Sequence, residues 1–428
     1  MTLWLFGSGQ PKVAARLTRH GTTMNPPILQ NEPARRLFLH LHALGEPPTG
    51  PATGTDLADL IDRIGFVQLD SINTVERAHH MILWSRRQSY RPAALKQLLE
   101  PDRALFEHWT HDASVIPVRF YSHWHHRFER DALRLRDNWR SWFRDGYEDK
   151  FDTILRHVAD HGPVTSSDVG AGEDRGNGGW WDWHPSKTAL EWLWRTGALA
   201  VTRRNGFQKV YDLTERVIPA QHQGAAGDPA QMVEWACAAA LDRLGFATSG
   251  ELAAYWRACT PGEAANWCRD ALRQGRVVEL AVEAADGTLR RSLAWPDVLA
   301  RAAAAPEAPS RIRILSPFDP VLRDRNRTER LFGFFYRIEV FVPEPRRLFG
   351  YYVFPVLEGS RIIGRIDAKA FRAEGILRVK GFWPEPGVSL GQGRLSKLEA
   401  ELSRLAGFAG CERIECLNGW LRDPVRQT

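Results

Sequence analysis

Three stretches of this chain repeat one outline: helices, a glycine stop, then a strand, a turn and a second strand. In the clearest, WHPSKTALEWLWRTG is an apolar-periodic helix with Pro185 near its first turn and Gly197 as its stop. ALAVTRR follows as a strand, Asn205–Gly206 as a turn and FQKVYDL as the return strand. The polar run GPVTSSDV predicts a helix start around Thr165. A later stretch repeats the outline with ATSGELAAYWR, then PGEAANWCRDALRQG ending at Gly275, then RVVELAVEA and TLRRSLAW joined at Asp286–Gly287. The earliest has EPARRLFLHLHALG and TGTDLADLIDRIG as helices, Gly65 as the stop and FVQLD as the strand. A helix-turn-helix with an appended hairpin is a winged helix, so three are expected in tandem.

The rest of the chain divides around these units. The stretch from Glu107 to Asp145 reads as strongly helical, with Arg and aromatic residues interleaved. RAAAAPEAPS, at 301–310, has a linker's composition. From Arg311 the period changes to two. RIRILSPFDPVL, GFFYRIEVFVP, LFGYYVFPVLEG, SRIIGRIDAKAF and ILRVKGFW are successive strand candidates, LSKLEAELSRLAGFAG a final helix, and ERIECL a returning strand. The expected fold class is α+β, with tandem winged-helix domains and a small C-terminal β-barrel. The expected divisions are a loose extension over 1–25 with Met24 as an alternative start, a first winged helix with a helical extension over 26–150, a second over 151–222, a third over 223–305, and the barrel with its terminal helix over 306–428.

Composition narrows the function classes. A net charge of +6 and a pI near 9.2 suit a polyanionic partner. Arginine can fork onto phosphate, and the 17 tryptophans can stack on bases or fill cores. The five cysteines, Cys237, Cys259, Cys268, Cys411 and Cys416, include no C-x-x-C pair, so neither a disulfide framework nor a zinc site is indicated. No apolar run approaches the roughly 20 residues of a membrane span, and a cytoplasmic, nucleoid-associated protein is expected. Phosphate-loop, dinucleotide-loop and nucleophile-elbow motifs are all absent, so nucleotide hydrolysis, dinucleotide chemistry and esterase chemistry lack support.

The densest chemistry lies in FVQLDSINTVERAHH, residues 66–80. Strand side chains alternate, so Phe66, Gln68 and Asp70 share a face. A carboxylate can take a proton from water while an amide holds that water with one donor and one acceptor. The structural alternative is that Asp70 or Ser71 caps a helix over INTVERAHH. Glu76 and His80 are four residues apart and could share a metal, but the H-E-x-x-H order is absent, and no metal is expected. His79, His80 and Arg77 read instead as helix-surface residues that meet phosphate or a carboxylate. His123, His125 and His126 also bunch among Trp and Arg, with no Cys or Asp at ligand spacing, and read as surface or groove contacts. Arg311, Arg313, Arg323, Arg325, Arg327 and Arg330 crowd around LSPFDPVLRDRNRTER, as a phosphate clamp or a solvated loop.

VQLDSINTVERAHHMILWSR closely resembles the signature of the bacterial winged-helix DNA glycosylases that act on interstrand crosslinks, the YcaQ/AlkZ family. EHWTHDASVIP looks like that family's helical segment. GWWDWHPSKTALEWLWRTGALAVTRRNGFQKVYDLTERVIP looks like its second winged helix, and LSPFDPVLRDRNRTERLFGFFYRIEVFVP with GYYVFPVLEGSRIIGRIDAKAF looks like its barrel. The resemblance implies a concave DNA-binding channel with Gln68 and Asp70 as the catalytic pair, in the family's Gln-x-Asp variant. It implies a monofunctional DNA N-glycosylase without lyase activity, because no lysine falls within the motif. The implied partner is double-stranded DNA carrying N7-alkylated or crosslinked purines, bound by a monomer with no cofactor. Arg77, His79, His80, Arg86, Arg203, Arg204, Arg323, Arg325 and Arg327 are the expected DNA contacts. The competing readings are a winged-helix transcriptional regulator, which would release no base, and a metal-dependent nuclease using the histidines.

Overall fold

The computed structural model describes residues 26–142, 146–170, 172–173, 184–224 and 227–425. The expected loose extension over 1–25, with Met24, lies outside them, as does most of the tryptophan-rich run before His184.

The N-terminal part runs β1 (Ile28–Leu29), α1 (Asn31–Leu41), α2 (Gly54–Ile64), β2 (Val67–Gln68), α3 (Ala78–Trp84), α4 (Pro92–Leu99), β3 (Leu105–Trp109) and β4 (Ala113–Pro117). Gly65 ends α2 with φ at +84°, in the left-handed region that favours glycine. A Cβ there would stand 2.7 Å from the Trp256 indole, so the stop is also a close packing point. The expected helical stretch from Glu107 is corrected at its start. Its first residues form the β3–β4 hairpin, and only α5 (His125–Trp142) is the long helix. The strand-forming run ASVIP is shielded by burial, which favours a β-branched ladder over a helix.

The second unit has α6 (Phe151–His161), β5 (Val164–Thr165), α7 (Pro185–Arg195), β6 (Leu199–Asn205), β7 (Gln208–Leu213) and α8 (Thr214–Val217). The helix and hairpin fall where the sequence places them. Thr165 does not start a helix. It pairs with Val210 in the β5–β7 ladder, and its amide and hydroxyl donate to Asp168 in a local turn. The third unit has α9 (Pro229–Leu244), β8 (Phe246–Ala247), α10 (Ser249–Trp256), α11 (Pro261–Arg273), β9 (Val278–Glu283), β10 (Leu289–Ala294) and α12 (Val298–Ala304). Thr248 with Glu251, and Thr260 with Glu263, form capping boxes on α10 and α11. The alanine run read as a linker is α12 in its first half, as expected of alanine's helix propensity.

The C-terminal part has β11 (Ile312–Ile314), α13 (Pro320–Arg323), α14 (Arg325–Phe332), β12 (Val353–Glu358), β13 (Arg361–Phe371), β14 (Ile376–Pro384), α15 (Gln392–Phe408) and β15 (Arg413–Cys416). These strands form one mixed sheet in the order β11-β12-β13-β14-β15, curled into a half-barrel beside α15. The closing β15 pairs parallel to β14, because α15 carries the chain back across the sheet. GFFYRIEVFVP is not a strand: residues 333–343 are irregular, with Phe334 and Tyr336 buried and Phe341 exposed. Among the described residues no helix is long and apolar enough to cross a membrane.

Two apolar cores tie the ends of the chain together. α1 packs against α9, α12 and α14, and Ile28 and Leu29 pair parallel to Ala281 and Val282. The residues of α2, α3 and α4 instead share a core with the C-terminal sheet and α15. Between these cores Arg86 is fully buried. Its guanidinium forks onto Asp319 at 2.7 and 2.9 Å and also donates to the carbonyls of His42 and Ile82. Removing one partner of such a pair strands the other charge, which costs about 3–5 kcal/mol. Asp319→Ala is therefore expected to lower the denaturation midpoint strongly, and Arg86→Met combined with Asp319→Leu to recover much of the loss, as read by chemical denaturation. Equal loss in the single and double variants would contradict this account.

Candidate active site

The site starts from one short ladder. β2 pairs antiparallel with β4, Val67 opposite Val115 and Gln68 opposite Ser114, and the Leu69 amide donates to the Ala113 carbonyl at 2.8 Å. This register sets Gln68 and Asp70 beside the three-residue turn Thr110–His111–Asp112 that joins β3 to β4. Arg127 of α5, itself buried, holds that turn by donating to the Thr110 carbonyl at 2.8 Å.

Gln68 is only 3% exposed. Its Nε2 donates to Asp112 Oδ2 at 3.3 Å, and its Oε1 lies 2.9 Å from His111 Nε2. Asp70, one residue past the strand's last ladder bond, is half-buried and lines a cleft of about 420 Å³. Ser71, Asp112, Lys187, Glu191, Arg204, Phe207 and Lys209 also line it, so the cleft runs between the β2 segment and the β6–β7 hairpin with α7. Asp70 caps no helix. Its Oδ1 accepts from the Ile72 amide at 2.7 Å, a local turn, and α3 begins only at Ala78.

Burial pushes the Asp70 carboxyl up to about 6; the Ile72 amide opposes this, and the nearby Asp112 charge adds to it. Burial also raises Asp112, against the Ala113 amide and the cations Lys209 and Arg195. Burial, then the cations Arg323, Arg257, Arg127 and Arg325, hold the His111 imidazole down to about 2, so it is neutral at physiological pH. Across the cleft Lys209 pairs with Glu191 at 2.6 Å, and the Tyr211 hydroxyl donates to the same carboxylate at 2.7 Å. A carboxylate that ionises near neutrality in a half-dry cleft can accept a proton from water or stabilise a developing cation.

The expected DNA contacts separate into two groups. Arg203 is exposed on the β6–β7 hairpin, near its Asn205–Gly206 turn. Arg77 and Arg204 are half-buried and flank the Phe207 ring, with guanidinium carbons 5.2 and 4.3 Å from its centroid. Arg204 also forks onto Glu107, with its Nε at 2.8 Å. Arg204 lines the cleft with Asp70, while Arg77 and Arg203 line a neighbouring cavity of about 250 Å³ that shares Leu69, Arg204 and Phe207 with it. The others are corrected by where they sit. Arg86 is spent on Asp319 in the core. His79 is buried against the ring of His80, and burial keeps it neutral. His80 is bonded to the Tyr90 hydroxyl at 2.7 Å, and burial lowers it to about 4, so it offers phosphate no cation at neutral pH. Arg323 donates to the Tyr255 and Ala254 carbonyls, Arg325 to those of Leu322 and Pro317, and Arg327 to Phe246, Leu244 and Glu251. The arginines of the cluster are thus engaged with protein partners: Arg323 and Arg330 with α10, Arg325 with the α13 segment, Arg327 with α9, β8 and α10, Arg311 with Gln88, and Arg313 with the carbonyls of Ser85 and Glu46.

The histidine clusters hold no metal-ligand set, and no group of three or more His, Cys, Asp or Glu fit for a metal occurs among the described residues. His123 stacks on Trp235 at 4.3 Å, and His125 packs edge-on to Tyr121 and Phe128. Sequence reading missed His111 and Asp112, which sit in THDASVIP and become site residues only once that run is a hairpin. It also missed Lys187 and Lys209, which lie more than a hundred residues from Asp70 yet line the same cleft. The Asp70-to-Asp112 contact follows from the β2–β4 register, which no local pattern specifies.

The fold was compared with solved structures. It is similar to the Streptomyces sahachiroi DNA glycosylase AlkZ, with a TM-score of 0.62 and 15% sequence identity over 94% of this chain and 100% of that one. A family model described as "DNA glycosylase AlkZ-like" matches residues 61–408, which include Gln68, Asp70, the β3–β4 turn and the β6–β7 hairpin. This chain belongs to the family of AlkZ-like DNA glycosylases.

Proposed function

We propose that this chain is a monofunctional DNA glycosylase that hydrolyses the N-glycosidic bond of N7-alkylated purines and unhooks interstrand crosslinks built on them. The observation that carries this reading is the place of Asp70: its half-buried carboxyl lines a cleft shared with Asp112 and with the basic, aromatic β6–β7 hairpin. An N7-alkylated guanine carries a positive charge and is already a good leaving group, so a strong general acid is unnecessary. What remains is to stabilise an oxocarbenium-like sugar and to deliver water to its anomeric carbon. The ionised Asp70 serves both ends. Gln68 positions the water without adding charge, and holding it at near-attack distance contributes further. The three helix-and-hairpin units act as tandem winged helices around a concave duplex-binding channel, with Arg77, Arg203 and Arg204 meeting the backbone. A tethered base suits an open cleft better than a closed flipping pocket.

The test is a single-turnover assay on duplex DNA carrying 7-methylguanine or an N7-guanine crosslink, followed by heat or alkali to cut abasic sites. Asp70→Asn is expected to slow release by roughly 10²–10⁴-fold and Gln68→Ala by about 10²-fold, with duplex affinity retained. Wild-type release should fall as pH drops through about 6, because Asp70 acts ionised. Release at the native rate by both variants would overturn the assignment. Borohydride should trap no enzyme–DNA adduct. A trapped adduct lost in Lys187→Ala or Lys209→Ala would assign a lyase to the cleft instead.

The same carboxyl has a stability consequence. Its folded pKa lies above its unfolded one, so its ionisation opposes folding as pH rises from about 4 through about 6. Asp70→Asn is therefore expected to raise the melting temperature at pH values well above 6 and to leave it little changed below the unfolded pKa. An unchanged or lowered melting temperature on the alkaline side would contradict the desolvated environment of Asp70.

A further inference from the structure

The geometry points to His111 and Asp112 as the positioning residues of this site: together they lock the Gln68 amide in one of its two flipped orientations, with its oxygen toward His111 and its nitrogen toward Asp112. This rests on the glycosylase reading above. An amide can be turned over with little change in shape, exchanging donor for acceptor. A water-positioning glutamine is useful only if that choice is fixed. Asp112 in its ionised form fixes it: a carboxylate only accepts, so the Gln68 atom 3.3 Å from Oδ2 is then the nitrogen. The oxygen then faces His111 Nε2 at 2.9 Å and must accept a hydrogen bond from it. The neutral ring therefore carries its hydrogen on Nε2, leaving Nδ1 to accept from the Thr110 hydroxyl at 3.2 Å. One tautomer, one flip state and one charged acceptor are mutually consistent, and the reverse flip would aim the amide oxygen at the carboxylate.

The bookkeeping of donors supports the role. Gln68 Nε2 has two hydrogens and Oε1 two lone pairs. The clamp uses one of each and leaves one donor and one acceptor, which is what holding a single water requires. The surroundings explain why the clamp does not flip with pH in the physiological range. Burial and the cations Arg323, Arg257, Arg127 and Arg325 oppose a second proton on His111. Arg323 and Arg325, engaged with backbone carbonyls, thus act on the site through His111. Asp112 also lines the cleft with Asp70, and its charge helps raise Asp70. The other charged or titratable groups lining this space are Lys187, Glu191, Arg204, Lys209 and Tyr211, and Tyr352 lies near enough to Asp70 to feel its charge.

The test pairs kinetics with a spectroscopic reading that needs no turnover. Asp112→Ala and His111→Leu are expected to lower single-turnover release of 7-methylguanine by roughly a hundredfold, the cost of a misplaced group, with unchanged duplex affinity. His111→Gln, which keeps an N–H donor, should recover part of the rate. In Asp112→Asn and Asp112→Ala the acid limb of the pH–rate profile should move to lower pH, because Asp70 loses a neighbouring negative charge. A merely structural residue would not move that limb. Nitrogen NMR of selectively labelled wild-type protein should show His111 as the neutral Nε2–H tautomer down to about pH 5. Native rates with an unmoved acid limb in folded Asp112→Ala would overturn the inference, as would an Nδ1–H tautomer or a titrating His111. Failure of the wild type to release the base would count against the glycosylase reading alone, and the tautomer would still decide the clamp.

Discussion

The hydrogen bond from the Leu69 amide to the Ala113 carbonyl fixes the arrangement of this site. It sets the register of β2 on β4, and a strand slipped by one residue would turn every side chain to the other face. With the register as found, Gln68 meets His111 and Asp112, and Asp70 emerges past the last rung into the cleft. The strand is only two residues long, so the register needs outside support. Arg127 holds the β3–β4 turn from α5, and the segment after Asp70 is braced by the C-terminal sheet, where the Ala370 amide donates to the Thr74 carbonyl at 2.8 Å. The glycine stop at Gly65, packed against Trp256, delivers the strand to this place.

Charge is distributed with a division of labour that composition alone conceals. A basic chain suggests arginines turned toward phosphate, yet many are turned inward. Arg86, Arg313 and Arg327 are almost fully buried and satisfy backbone carbonyls or single carboxylates. Guanidinium groups suit this work because their five donors form a rigid fork that can join several carbonyls at once. The cost is desolvation, and the return is a fixed geometry between elements distant in sequence. The arginines left near the site are fewer: Arg204 lines the cleft, and Arg77 and Arg203 line the cavity beside it, on the start of α3 and on the hairpin.

Much of the fold was legible in the sequence because it is written in local signals. Gly65, Gly197 and Asn205–Gly206 announced a stop or a turn, and the period-2 runs after Val353 announced strands. The misreadings came where tertiary burial overrode local pattern. The run from Leu105 to Pro117 pairs as a hairpin because its apolar residues face two cores, and residues 333–343 have strand composition but no ladder partner among the described residues. At the site, Gln68 and Asp70 were visible as a spaced pair. His111, Asp112, Lys187 and Lys209 were not, since their nearness to Asp70 is created by strand register and by the docking of the β6–β7 hairpin.

The proposed chemistry depends on a single carboxyl, Asp70, whose ionisation its surroundings shift toward neutrality. Carbon NMR titration of the Asp70 side-chain carboxyl, set beside the acid limb of base release from 7-methylguanine duplex, tests this most directly. The account expects both to share a midpoint near 6. An Asp70 that titrates near the ordinary aspartate value of about 4, or a rate indifferent to its ionisation, would contradict it.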